Sequence, residues 1–231
     1  MADINNIISN TVVSGTANDD YIYSSGDNVT IVGGAGNDTL TGSGDNANIS
    51  GGDGNDSIQG SGWSLSFGSK SSISGGAGND SIYNSEEYNT ISGDAGDDYI
   101  YNLGGDNVSI DGGSGNDKIS NSGGYKATIS GGDGNDTIYN SENNIGASVS
   151  EVSISGGAGN DYIVYNKYTK NMSINGGVGN DTIRLFIKNG VNTRDFNRRM
   201  KRRQKNILTA KYKPIKIEFN AGMVGNKIVL S

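Results

Sequence analysis

The chain has 231 residues with no cysteine, no histidine and a single proline. The first two absences remove disulfides, thiolate nucleophiles, most zinc sites and the imidazole acid or base together. An oxidising compartment gains no support from cysteine, and is not excluded by its lack. No apolar stretch approaches the ~18 residues of a membrane span. The opening MADINNIISN lacks a basic segment followed by an apolar run, so no classical leader is expected there. Hydrophobic residues make up only 32% of the chain, which argues against a thick globular core. Glycine, by contrast, supplies 38 residues, so backbone freedom is used heavily and helices are disfavoured.

Charge is divided unevenly. Residues 1–183 carry 23 acidic and 5 basic side chains, whereas residues 184–231 carry 2 acidic and 13 basic. Two pieces with different roles are expected, a roll over 1–187 and a basic C-terminal cap over 188–231, and the acidic piece needs counter-ions.

The acidic piece is periodic. "VGGAGNDTL" (32–40) returns as "SGGDGNDSI", "SGGAGNDSI", "SGDAGDDYI" and further close copies, with first glycines at Gly15 (the imperfect "GTANDDYI"), Gly33, Gly51, Gly75, Gly93, Gly112, Gly131, Gly156 and Gly176. The intervals are 18, 18, 24, 18, 19, 19, 25 and 20 residues. A period near 18–20 with interruptions predicts a solenoid. A second element recurs within each period, as "NVTI" (28–31), "NANI" (46–49), "NVSI" (107–110) and "KATI" (126–129), so each coil holds two short strands and two turns.

Alternation assigns the faces. Ile22, Leu40, Ile58, Ile82, Ile100, Ile119, Ile138, Ile163 and Ile183 form one inward column, and Ile31, Ile49, Ile73, Ile91, Ile110, Ile129, Ile154 and Ile174 the other. Two parallel sheets, with coils ~4.8 Å apart, should enclose a thin aliphatic filling. A polar ladder (Thr30, Asn48, Ser72, Thr90, Ser109, Thr128, Ser153, Ser173) and a tyrosine row (Tyr21, Tyr23, Tyr83, Tyr99, Tyr101, Tyr139, Tyr162) should face outward.

The turns carry the chemistry. Glycines at the first, second and fourth positions of GGxGND should permit positive dihedrals, with carbonyls converging beside the aspartate. Stacking aligns Asp38, Asp56, Asp80, Asp98, Asp117, Asp136, Asp161 and Asp181, with Asp20 in the imperfect first turn. Carboxylates ~5 Å apart repel by roughly 1 kcal/mol per neighbour in water and by more in a partly dry turn. A hard cation between them reverses the sign, and oxygen ligands alone suit Ca²⁺. Metal-site candidates are those aspartates with Gly34, Gly36, Gly52, Gly54, Gly76, Gly78, Gly96, Gly113, Gly115, Gly132, Gly134, Gly157, Gly159, Gly177 and Gly179. Nine turns in one column leave eight gaps, hence about eight ions.

Over about residues 11–187 the chain resembles the RTX (repeats-in-toxin, haemolysin-type) family, whose nonapeptide GGxGxDxUx forms a calcium-bound parallel β-roll. The resemblance implies an all-β, right-handed parallel β-roll, a secreted or cell-surface bacterial protein exported through a type I system, and folding on calcium outside the cell. Family members often carry the nonapeptide on both turns of a coil. Here the alternate turn reads "SSGDN" or "SGGYK", with Val29, Ala47, Val108, Ala127, Val152 and Met172 near an aspartate's place, so calcium is expected on one edge only.

The remainder is less regular. Insertions over 60–70, with Trp63 and Phe67, and over 140–151 lie on the alternate turns. In "NTRDFNRRMKRRQKNIL" (192–208), Asn192 as N-cap, Asp195 three residues on and the spacing of Phe196, Met200 and Ile207 predict a helix over about 193–208. "IKIEFNAGMVGNKIVLS" reads as a degenerate further rung, with final strands over about 215–230 and Lys227 where aspartate would stand. Helix and strands together should cap the roll's open end. No nucleophile-and-base set is visible, so no enzyme is expected. The expected role is a calcium-dependent structural or adhesive module, either a monomer or part of a larger protein, with a cell-surface or extracellular glycan or protein as partner. Alternative uses are glycan, ice, nucleic-acid or membrane binding through the Ser/Thr ladder, the tyrosine row or the basic tail. Among these, nucleic acid is not the expected partner.

Overall fold

The computed structural model describes residues 1–60, 70–103, 106–122, 126–141, 151–165, 171–187, 216–221 and 227–230. The described chain is all β, without helix, and winds as a parallel solenoid of about eight turns. Its first sheet takes the strand after each GGxGND turn: β3 (Tyr21–Ser24), β5 (Thr39–Gly42), β7 (Ser57–Gly60), β9 (Ser81–Asn84), β11 (Tyr99–Asn102), β13 (Lys118–Asn121), β15 (Thr137–Asn140), β17 (Tyr162–Tyr165) and β19 (Thr182–Ile187), preceded by β1 (Asp3–Asn6). The second sheet takes the strand that runs into that turn: β2 (Val12–Ser14), β4 (Thr30–Ala35), β6 (Asn48–Asp53), β8 (Ser72–Ala77), β10 (Thr90–Ala95), β12 (Ser109–Ser114), β14 (Thr128–Asp133), β16 (Glu151–Ala158) and β18 (Asn171–Val178). All pairings within the coils are parallel and in register, so Ile22 lies beside Leu40 and Ile31 beside Ile49.

Both predicted aliphatic columns form one continuous core, buried throughout except at the partly buried Ile174, with Val29, Ala47, Val108, Ala127 and Val152 filling the alternate edge. One residue of each kind per coil suffices because the neighbouring coils supply the remaining contacts, as in other solenoids. The two turn types differ in backbone. On the GGxGND edge the second and fourth glycines take positive φ, for example Gly34 at 120° and Gly36 at 111°. The first glycine does not, which corrects the expectation for that position. The alternate edge instead places non-glycine residues in the left-handed region, at Asn10, Asn28, Asn46, Tyr88, Asn107 and Lys126. Asparagine tolerates that region best among L residues.

After β19, β20 (Lys216–Ala221) joins the first sheet in parallel, and β21 (Lys227–Leu230) folds back antiparallel on it, pairing Lys227 with Asn220. The expected further rung is therefore a hairpin on one sheet, because a rung would have put its two strands in different sheets. The expected helix over 193–208, and Trp63 and Phe67, lie outside the described residues. No helix among the described residues is long and apolar enough to cross a membrane.

Candidate metal column

Each aspartate of the repeat sits at the inward position just before a first-sheet strand, where alternation continues through the buried isoleucine. Asp38, Asp56, Asp80, Asp98, Asp117, Asp136, Asp161 and Asp181 are all buried. Their two oxygens have separate fates. Oδ1 accepts the backbone N–H of the preceding coil's aspartate, from Asp20 to Asp38 at 2.7 Å through Asp161 to Asp181 at 3.0 Å. Oδ2 of all eight is buried with no hydrogen-bond partner. An unpaired buried acceptor costs ~1–3 kcal/mol, and more when charged, so eight in one column require an explanation from outside the chain.

Beside each orphaned oxygen lies the first glycine, the position whose part in the site sequence reasoning missed. A Cβ built on Gly33 would stand 2.3 Å from Asp38 Oδ2 and 2.5 Å from the Gly51 carbonyl oxygen. Gly51, Gly75, Gly93, Gly112, Gly131 and Gly156 repeat this arrangement, each joining its own coil's Oδ2 to the next coil's glycine carbonyl. Glycine is required there because a methyl group would fill the space in which the two oxygens converge. At Gly176 only Asp181 approaches, without a carbonyl from a further coil. Seven sites thus combine a carboxylate with a carbonyl, and the last is half-built.

Among the described residues no three acidic side chains converge on one point. A cation in this column would therefore take one carboxylate oxygen, backbone carbonyls and water, a donor set of hard oxygens that fits Ca²⁺. Burial, above all, raises the carboxyls of Asp80, Asp117, Asp136 and Asp161 to about 6 and that of Asp98 to about 7, with neighbouring aspartates adding to the shift. A group so placed favours a bound proton or a bound cation over a bare charge.

The GGxGND asparagines form a second ladder running the other way. Asn55 N–H donates to Asn37 Oδ1 and Asn79 N–H to Asn55 Oδ1, each toward the preceding coil. Adjacent peptides of one turn, Asn55 and Asp56, thus bond to opposite neighbours. This explains why the Asn-Asp dipeptide recurs as a unit. The second and fourth glycines of the candidate list stack on the preceding coil's backbone, so that a Cβ on Gly52 would lie 2.0 Å from the Gly34 carbonyl oxygen.

A third ladder was missed altogether. Asn84, Asn102, Asn121 and Asn140 are buried at the far end of the first-sheet strands, Nδ2 of each of the first three donating to Oδ1 of the next at 2.6–2.7 Å, while Nδ2 of Asn140 has no partner. Asn89 joins by donating to Asn84 Oδ1. Its signal was the recurring asparagine in "SIYN", "YIYN", "KISN" and "TIYN".

The outer face of the first sheet is also organised. Tyr83 meets Tyr99 and Tyr101 edge to face at 6.1 and 6.3 Å, Tyr139 meets Tyr162 at 6.3 Å, and Lys118 lies over the Tyr99 ring. From β3 to β19 the outward rows contain no acidic residue, although residues 1–183 hold 23.

With the repeat, the parallel coils and the aspartate column in place, the family is clear. The profile of the RTX calcium-binding nonapeptide repeat (4 copies) matches residues 14–49, 41–62, 74–108, 126–144, 152–166 and 173–185, more than half of the chain. The chain belongs to this family of calcium-binding repeats. No curated protein and no solved structure matches it.

Proposed function

We propose that this chain is a calcium-folded structural and adhesive module of a secreted or cell-surface bacterial protein, exported extended by a type I route and folded by calcium outside. The observation that carries the reading is the column of eight buried, partnerless Oδ2 atoms. Seven of them share space with a glycine carbonyl from the next coil. The calcium would be held by Asp38, Asp56, Asp80, Asp98, Asp117, Asp136 and Asp161 with those first-glycine carbonyls, and by Asp181 at the half-built end, about eight ions in all. Bound there, it supplies the positive charge that the column lacks. The chain's own part is to stack oxygen pairs that exist only when successive coils are in register. Binding free energy therefore becomes folding free energy. With 32% hydrophobic residues and 38 glycines to order, the thin core does not offset chain entropy alone. Circular dichroism at neutral pH is expected to show a disordered chain in chelator and a β spectrum on adding millimolar calcium. An unchanged β spectrum through the titration would rule out calcium-driven folding.

Adhesion is assigned to the first sheet's outer face, where tyrosines and hydroxyl side chains form an acid-free surface on an otherwise acidic roll. Flat aromatic rings beside hydroxyl groups suit a glycan. On a glycan array the calcium-loaded chain is expected to bind, and Tyr83→Ala with Tyr139→Ala to reduce binding at least tenfold while leaving the β spectrum intact. Equal binding by the double variant would remove the tyrosine face as the adhesive surface.

A further inference from the structure

The first aspartate of the column differs from the eight that follow. Asp20 is buried like them, and its Oδ1 likewise accepts a backbone N–H from one coil earlier, here that of Ala2. Its Oδ2 is not orphaned. Thr16 donates its backbone N–H to that oxygen at 2.5 Å and its hydroxyl at 2.8 Å. Two features free these donors. Thr16 occupies the second-glycine place, where every later coil has glycine or, at Asp94, an aspartate. Strand β2 ends at Ser14, whereas β4 continues to Ala35 past the equivalent Gly34. The Thr16 amide is therefore free of the sheet ladder and turns back on Asp20. The rest of a site is present, since a Cβ on Gly15 would lie 2.8 Å from Asp20 Oδ2 and 2.1 Å from the Gly33 carbonyl oxygen.

We propose that Thr16 stands in for the cation at the first coil, its N–H and hydroxyl capping the Asp20 carboxylate, so that the metal column begins at Asp38. Two donors on one carboxylate oxygen do chemically what a cation does in later coils: they satisfy its lone pairs and stabilise its charge. Because they belong to the chain, this rung closes without metal. Threonine at this one place is thus a specificity-determining residue that sets where calcium starts. The inference rests on the calcium reading of the later coils.

Native mass spectrometry of the calcium-saturated full chain tests it by counting ions. Asp20→Asn is expected to keep the wild-type number, Asp38→Asn to bind one fewer, and Thr16→Gly to bind one more, because removing the hydroxyl and restoring glycine reopens the first site. Thr16→Ser, which keeps both donors, should match the wild type. Loss of an ion by Asp20→Asn would overturn the inference alone and leave the calcium column standing. A wild type that binds no calcium would overturn the column itself and this inference with it. Should Thr16→Gly fail to fold, the Asp20→Asn and Asp38→Asn counts decide the question.

Discussion

Strand β11 and the residue before it turn Asp98, Ile100 and Asn102 inward in succession, one residue for each edge of the roll and one for its middle. The two polar ends face the same problem, since identical side chains must stack at the coil spacing of ~4.8 Å in a place that water does not reach. They solve it differently because of one group of atoms. An asparagine amide carries both donor and acceptor, so from Asn84 to Asn121 each Nδ2 finds the next coil's Oδ1, and only the last, that of Asn140, is left without a partner. An ionised aspartate has acceptors only. One oxygen takes a backbone N–H and the other is left over in every coil from Asp38 on. One edge of the roll is complete but for its last amide, and the other is complete only with something added in every coil. Thr16 shows that the addition can be protein: where two donors reach Asp20, the leftover oxygen disappears.

The largest expected effect is on the pH dependence of the metal-free fold. A proton on Oδ2 turns the leftover acceptor into a donor facing the adjacent glycine carbonyl, so in the metal-free chain acid should do part of what calcium does. The sign follows from the shifts. In the fold, Asp80, Asp117, Asp136 and Asp161 titrate at about 6 and Asp98 at about 7, raised from 3.8, chiefly by burial. Groups raised in the fold contribute stability that is fully present below their unfolded value and lost as pH rises through the folded value. Metal-free chain is thus expected to hold a β spectrum near pH 4 and to lose it between about pH 6 and 7. With calcium the dependence reverses, because protons compete for the ligand oxygens. A metal-free chain whose circular dichroism is the same at pH 4 and pH 7.5 would break the distinction between the edges.

The two edges were not equally legible in the sequence. Both isoleucine columns, the aspartate column and the outward tyrosines follow from period-2 alternation within strands, which short segments already display. The asparagine ladder follows the same alternation, since Asn102 is two residues beyond Ile100, but polarity alone argues for an exposed position. Only stacking at coil spacing supplies the partner that makes burial of Asn102 tolerable, and that partner is 18 or 19 residues away. The first glycine was misread for a related reason. Glycine usually signals positive φ, whereas Gly33 is needed for the room it leaves beside Asp38. Thr16 looked like decay of the repeat, because its donors gain meaning only once β2 is seen to stop at Ser14.

Exchanging the two chemistries sharpens the comparison further. Asn102→Asp places an acceptor-only group in the self-closing ladder. Asn84 Nδ2 could still donate to it, but the 2.7 Å bond from Asn102 to Asn121 Oδ1 is lost and a buried charge appears where no cation site exists. A loss of about 3 kcal/mol is expected from the broken bond and uncompensated charge. Urea denaturation of the calcium-saturated chain measures it. A variant as stable as wild type would mean that the asparagine edge, too, accepts ions.

The reverse exchange, Asp98→Asn, has the smallest expected effect and the most informative one, because its sign depends on the metal. Oδ1 of the new amide can keep the 2.7 Å bond from Asp80 N–H. Its Nδ2 falls where Oδ2 was, in the space shared with the Gly112 carbonyl oxygen, and can donate to it. In the metal-free chain this replaces an orphaned acceptor by a made hydrogen bond and removes one charge from between Asp80 and Asp117. A gain of about 1 kcal/mol is expected, read as a shift to higher pH of the point at which the metal-free β spectrum is lost. In saturating calcium the same substitution removes an anionic ligand, so the urea midpoint should fall. Stabilisation in one condition and destabilisation in the other follows only if Oδ2 of Asp98 is a liability to the bare fold and an asset to the loaded one. A change of the same sign in both would show that the carboxylate serves packing, not calcium.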